Sequence, residues 1–119
     1  METLASAAQW SQRVENAPGL VVLYGGAQCQ VCQVLKPKLS QALSEHFPNM
    51  AQLYVDCEAH TALCAQSGVM SLPVVAVYFD GQKTFEAVRT FSVGEVLAAI
   101  ERPYRLFFNA EAEPTLSRR

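Results

Sequence analysis

Leu20-Val21-Val22-Leu23-Tyr24, then Gly25-Gly26-Ala27-Gln28, then Cys29-Gln30-Val31-Cys32: the reading of this stretch decides the fold. Five apolar residues without alternation read as a strand covered on both faces, and the glycines open a short loop into a helical pattern. Two cysteines then stand at the mouth of a helix. The thiolate, not the thiol, is the nucleophile, and the unpaired N–H groups and positive dipole end of a helix N-terminus stabilise it. Cys29, at that terminus, is the natural attacking thiol. Cys32, three residues on, lies about 5–6 Å away on the same helical face, close enough to form a disulfide with it. The plain structural alternative is a pair of small buried hydrophobes, since free cysteine is among the most buried residue types. At a strand-to-helix junction, cycling between dithiol and disulfide accounts better for both residues.

The rest of the composition narrows the field. The chain has 119 residues, half of them apolar, which supplies one self-sufficient core and leaves little for a second. A formal net charge of -2 gives no electrostatic footprint for nucleic acid or an anionic membrane surface, so neither is an expected partner. No run approaches the roughly 18–20 apolar residues that span a bilayer. Met1-Glu2-Thr3-Leu4 opens with an acid instead of the basic start of a secretory signal, which leads to the expectation of a cytoplasmic protein. Secreted scaffolds stapled by disulfides have poor cores, and this one is rich. Cys29 and Cys32 have the spacing of zinc ligands, but Cys57 and Cys64 lack the matching short gap, so no metal is expected.

Outward from the opening stretch, Ser6 and Gln9 have the spacing of a capping box. The helix they would open carries Ala7, Trp10, Val14 and Ala17 on one face and ends at Pro18-Gly19. From Cys29 to about His46, Val31, Leu35, Leu39, Ala42 and Leu43 recur at helical spacing, with Pro37 set to kink the helix. Met50 to Val55 reads as a strand ending at Asp56, and residues 58–67 as a short helix closed by Gly68. In a continuous helix Cys57 and Cys64 are separated by about 10 Å of rise, more than the roughly 7 Å a disulfide spans, so they should not pair. His46 and His60 read as solvated helix residues, although His60, one turn before Cys64, could tune a thiol. Leu72-Pro73 introduces the β-branched run Val74–Phe79, Asp80-Gly81 signals a hairpin, and residues 83–89 return as its partner. Ser92 and Glu95 form a second capping box before a last helix with Val96, Leu97 and Ile100 inward, stopped by Pro103. The order is strand, helix, strand, helix, strand, helix, hairpin, helix, which implies a mixed sheet with helices on both faces. Residues 1–103 make the domain and 104–119 a C-terminal extension. In it Tyr104-Arg105-Leu106-Phe107-Phe108 should fold back or pair in a dimer, while 109–119 is polar and frayed.

A strand, a Cys-x-x-Cys on the helix after it, Pro37 five residues beyond the second cysteine, and Leu72-Pro73 opening a strand of an Asp-Gly hairpin together resemble the thioredoxin-like family. The likeness runs over about residues 2–102. It implies an α/β fold, the thioredoxin-like three-layer α/β/α sandwich, with a central mixed sheet of four to five strands flanked by four helices. It also implies an enzyme, a protein-disulfide oxidoreductase of cell redox homeostasis, in which Cys29 attacks a target disulfide and Cys32 resolves the mixed disulfide. Pro73 would then be cis, Leu72 would offer its backbone to the substrate, and Arg89 would line the groove. No cofactor is implied; protein disulfides are the substrates, and a thioredoxin reductase or glutathione supplies electrons to a monomer or to a dimer formed through 104–108. The departures point the other way. Gln30-Val31 stands for the family's Gly-Pro, Gly25 and Gln28 for its two tryptophans, Leu23 for its buried aspartate, Gln52 for the lysine partner, and Arg89 for a groove glycine. They support a second reading, a binding or assembly factor that uses the groove of Leu72, Pro73 and Arg89 with little turnover.

Overall fold

A computed structural model of the chain describes residues 1–108. The unbroken apolar run forms strand β2, Gly19–Gly25, and every one of its residues is buried. Preceding it in the chain are β1, Glu2–Thr3, and helix α1, Trp10–Asn16. After it come α2, Gln30–His46; β3, Ala51–Asp56; α3, Thr61–Gln66; the hairpin of β4, Val74–Phe79, and β5, Gln82–Val88; and α4, Val93–Phe108. β2 pairs in parallel with β3 and antiparallel with β4, so both of its edges are spent on hydrogen bonds. The sheet of five strands has the order β1-β3-β2-β4-β5, with α-helices on both faces: the three-layer thioredoxin-like sandwich.

Alternation along β2 divides the core in two. Val21 and Leu23 point to one face, where Leu39 and Leu43 of α2 and Val96, Ile100 and Tyr104 of α4 cover them. Leu20, Val22 and Tyr24 point to the other, against Leu63 and Cys64 of α3, with Trp10 and Val14 of α1 packed around them.

Local signals settle most of the turns. Asp80 and Gly81 both take positive φ, 53° and 78°, as a two-residue hairpin loop matching the twist of its strands requires. Gly68 at φ 79° closes α3; its N–H donates to Ala65 O at 3.1 Å and that of Val69 to Cys64 O at 2.9 Å, the paired bonds of a Schellman cap. The Ser92–Glu95 box is formed in both directions, Glu95 N–H to Ser92 Oγ at 3.1 Å and Ser92 N–H to Glu95 Oε1 at 3.0 Å.

Two expectations are corrected. The Ser6 side chain caps nothing: a 3₁₀ turn, Ala7–Gln9, closes by Gln9 N–H to Ser6 O, and the α-helix begins only at Trp10. Pro103 does not stop the last helix, which continues to Phe108 as Pro37 lies within α2 without ending it. The continuation is held by packing. Tyr104 is buried with its ring 4.8 Å from Phe47 and 4.8 Å from Phe108, and its hydroxyl accepts the Asn49 N–H at 3.1 Å. Residues 104–108 thus fold back through Tyr104 and Phe108, while Leu106 and Phe107 stay exposed. The frayed tail expected for 109–119 lies outside the described residues. Replacing Tyr104 with alanine removes both aromatic contacts and leaves the Asn49 N–H without its acceptor. It should lower stability by about 3–5 kcal/mol, read as a clear fall in melting temperature; an unchanged melting curve would show that the last turns of α4 contribute nothing to the core.

Candidate functional site

Register brings four segments to one end of the sheet. Gly25 lies opposite Asp56, Tyr24 opposite Val74, and Val74 opposite Val88. The loop leading to Cys29, the turn after β3, Leu72-Pro73 and Arg89 therefore leave the sheet side by side.

Cys29 is the N-cap of α2, with its N–H donating to Gly26 O at 3.1 Å and its Sγ accepting the N–H of Cys32 at 3.2 Å. That N–H is one of the orphan donors of the helix terminus, aimed at the sulfur that would carry negative charge. Cys29 and Cys32 form a disulfide with Cα atoms 5.2 Å apart, within the usual range for such bonds. Access to the two sulfurs differs, because Cys29 is half-buried and Cys32 is fully buried. Beside them Val31 and Val34 are exposed and line a shallow apolar depression with Gln30, Leu35 and Lys38.

The loop before Cys29 is pinned by close approach. Gln33 Nε2 donates to Gly26 O at 3.0 Å, Cys57 N–H to Gly25 O at 2.8 Å, and Gln28 N–H to the Glu58 carboxylate at 2.9 Å. A Cβ on Gly26 would stand 2.8 Å from Glu58 Oε2. On Gly25 it would stand 2.5 Å from the phenol oxygen of Tyr54 and 3.0 Å from Cys32 Cβ. Space requires glycine at position 25, where the buried Tyr54 ring and Cys32 close it off; at position 26 the Glu58 carboxylate would have to move aside.

Pro73 is buried, its bond to Leu72 is cis, and its carbonyl accepts the Arg89 N–H at 2.7 Å. Arg89 has φ 63°, in the left-handed region that favours glycine, and it is exposed. Cys57 and Cys64 correct the sequence reading. They form a disulfide with Cα atoms 5.7 Å apart, because α3 begins only at Thr61 and Cys57 sits in the turn after β3, where the His60 N–H folds back to Asp56 O at 2.9 Å. The rise of a continuous helix therefore does not separate them. The His60 ring, set to tune Cys64, instead meets Leu4 O at 3.1 Å and ties down the chain start.

Beneath the Cys29–Cys32 pair the core is apolar. Leu23 is fully buried, and Gln52 is held between Ser40 Oγ at 2.7 Å and Ser44 Oγ at 3.1 Å. Among the described residues no charged side chain is buried, and no three His, Cys, Asp or Glu gather as a metal site. Nor, among them, is any helix long and apolar enough to cross a membrane. One polar atom that the sequence did not single out is buried here: the Tyr54 hydroxyl, opposite Leu23 in the sheet. Burial, with Asp56 and then Glu58 adding to it, pushes its pKa up, although the nearby Gln33 amide, whose own hydrogen bond goes to Gly26 O, opposes the shift. A tyrosine inside an apolar strand carries no sequence signal of that kind; only the room its ring finds beside Gly25 on the neighbouring strand reveals it.

The family model described as Thioredoxin matches residues 2–102. Thioredoxin-like 3-2, chloroplastic, of Arabidopsis thaliana is 33% identical over 101 residues, which cover 77% of this chain and 53% of that protein. Protein disulfide-isomerase EUG1 of Saccharomyces cerevisiae is 26% identical over 108 residues, covering 84% of this chain and 20% of that protein. The chain thus spans about half the length of the first relative and a fifth of the second. The oxidized thioredoxin O2 of Arabidopsis thaliana superimposes with a TM-score of 0.74 at 22% identity, covering 87% of this chain and 93% of that one.

The backbone at Arg89 supplies a test of the groove. A side chain at φ 63° carries strain of order 1–2 kcal/mol, which glycine relieves while adding freedom to the unfolded chain. Arg89→Gly should leave the melting temperature unchanged or raised, whereas the β-branched Arg89→Val should lower it; the reverse order would show that the arginine side chain anchors the turn.

Proposed function

This chain belongs to the thioredoxin family, and we propose that within it the protein is a thiol-disulfide oxidoreductase acting on protein disulfides, with Cys29 as attacking thiol and Cys32 as resolving thiol. The observation that carries this reading is the asymmetry of the pair. The half-buried cysteine sits on the helix cap with its sulfur receiving an N–H, and the cysteine one turn on is sealed from solvent. The Cys29 thiolate attacks one sulfur of the target, the target's S–S bond breaks, and the other target sulfur leaves with the electron pair and takes up a proton. Cys32, deprotonated, then attacks Cys29 Sγ, forming the intramolecular disulfide and releasing the second target thiol. Two electrons pass to the target, and a thioredoxin reductase or glutathione restores the dithiol. No metal or organic cofactor enters either step.

The groove completes the proposal. Leu72 offers its backbone to an extended segment of the target beside Pro73, Val31 and Val34 give apolar contact, and the exposed Arg89 favours an acidic neighbour on the substrate. The cytoplasmic setting belongs to the same proposal. The alternative, a binding or assembly factor with little turnover, is favoured by one observation: the core under the cysteines holds the apolar Leu23, the half-buried Gln52 is neutral and bonded to Ser40 and Ser44, and no described charged side chain is buried there to move a proton. Reduction of insulin disulfides by dithiothreitol separates the two. The protein should accelerate it, Cys29→Ser should abolish the acceleration, and Cys32→Ser should accumulate a mixed disulfide at Cys29. No acceleration by the wild-type protein, with a target peptide still bound, would favour the binding factor.

A further inference from the structure

The Tyr54 hydroxyl is fully enclosed and has no hydrogen-bond partner in the disulfide form, an arrangement that costs free energy there and calls for a use in another state of the protein. Its position says which state. The absent Cβ of Gly25 leaves a space bordered by the phenol oxygen, 2.5 Å from the Cβ position, and by Cys32 Cβ, 3.0 Å from it. Both border the place of one missing methyl group, so the phenol oxygen lies within about 5.5 Å of Cys32 Cβ. In the disulfide the Cys32 sulfur is bonded to Cys29 and carries no charge. In the mixed disulfide it is free and must become a thiolate inside an apolar core, where an ion without a donor is strongly disfavoured.

We infer that Tyr54 is a further catalytic residue of the proposed oxidoreductase, its hydroxyl donating a hydrogen bond to the Cys32 thiolate that resolves the mixed disulfide. The inference rests on the function proposed above and assigns the missing polar group of that site. Tyr54 keeps its own proton throughout. Cys32 gives up its proton, its sulfur bonds Cys29 Sγ, the Cys29–target bond breaks, and the leaving target thiolate takes a proton up. When the disulfide closes the phenol loses its acceptor and returns to the unpaired state seen in the structure. Its raised pKa keeps it a donor across the range in which thiols titrate. The other polar and charged groups around the ring are Lys36 of α2, with Nζ 4.2 Å from the ring centre, Gln33 of α2, and Asp56 and Glu58 at the end of β3. All four remain in a Tyr54→Phe variant, so a difference in pH profile belongs to the hydroxyl.

The test mixes the reduced protein with oxidised glutathione and follows the glutathione adduct on Cys29 by rapid acid quench and peptide mapping between pH 5 and 10. Adduct formation should be the same in both proteins. Its decay should be about ten- to a hundredfold slower in Tyr54→Phe near neutral pH, the range expected for one hydrogen bond to a charged group. The rise of that decay with pH should move to higher pH, and the two rates should converge once Cys32 is ionised in both. The melting temperature of the oxidised variant should be unchanged or raised, because the lost oxygen has no partner there. Equal decay rates with one pH profile, or a lower melting temperature of the oxidised variant, would overturn the role of Tyr54 and leave the oxidoreductase standing. No adduct on Cys29 in either protein would overturn the oxidoreductase reading, and Tyr54 with it.

Discussion

Seven consecutive residues, Gly19–Gly25, are out of reach of solvent on both faces and hydrogen-bonded along both edges, and the position of everything else follows from that strand. Because β3 runs parallel to it and β4 antiparallel, the carboxyl ends of β2 and β3 meet the amino end of β4. A chain leaving the buried strand there has one short loop in which to reach a helix, and Cys29 is the cap of that helix. The cysteine pair and the groove beside it are consequences of strand order before they are consequences of their own sequence.

The same geometry sets how the sulfurs differ. The cap position leaves Cys29 half-open and gives its sulfur a backbone donor, while one turn of helix carries Cys32 into the core. An apolar surrounding suits the disulfide, which is neutral, and opposes the thiolate that the proposed chemistry requires of Cys32. Leu23 makes that opposition severe on the β2 side, and Tyr54, its direct neighbour on β3, is where a polar atom reappears. Gly25 is the condition for both: any larger residue there would collide with the phenol and with Cys32.

Where local chemistry governs an element, the sequence is explicit. Asp80-Gly81, Gly68 and the Ser92–Glu95 pair each specify a backbone geometry within four residues, and each forms it. Leu20–Tyr24 is legible for a different reason, since only a doubly covered strand tolerates five apolar residues without alternation. What misleads is decided at a distance. Pro103 reads as a stop until Phe47 and Asn49, half the chain away, are seen to hold Tyr104. Cys57 and Cys64 read as unpaired until the helix between them proves to start three residues later than its pattern suggests. The two cysteines of the proposed site are plain from their spacing, but the phenol near Cys32 depends on a strand register that no local pattern encodes.

The central claim is that the helix cap makes Cys29 the reactive sulfur, and alkylation of the reduced protein by iodoacetamide as a function of pH, resolved by peptide mapping, tests it most directly. The account predicts that Cys29 is alkylated first and that its rate has a midpoint below the value of about 8.5 for an unperturbed thiol. Faster labelling of Cys32, or a Cys29 midpoint at or above that value, would contradict it.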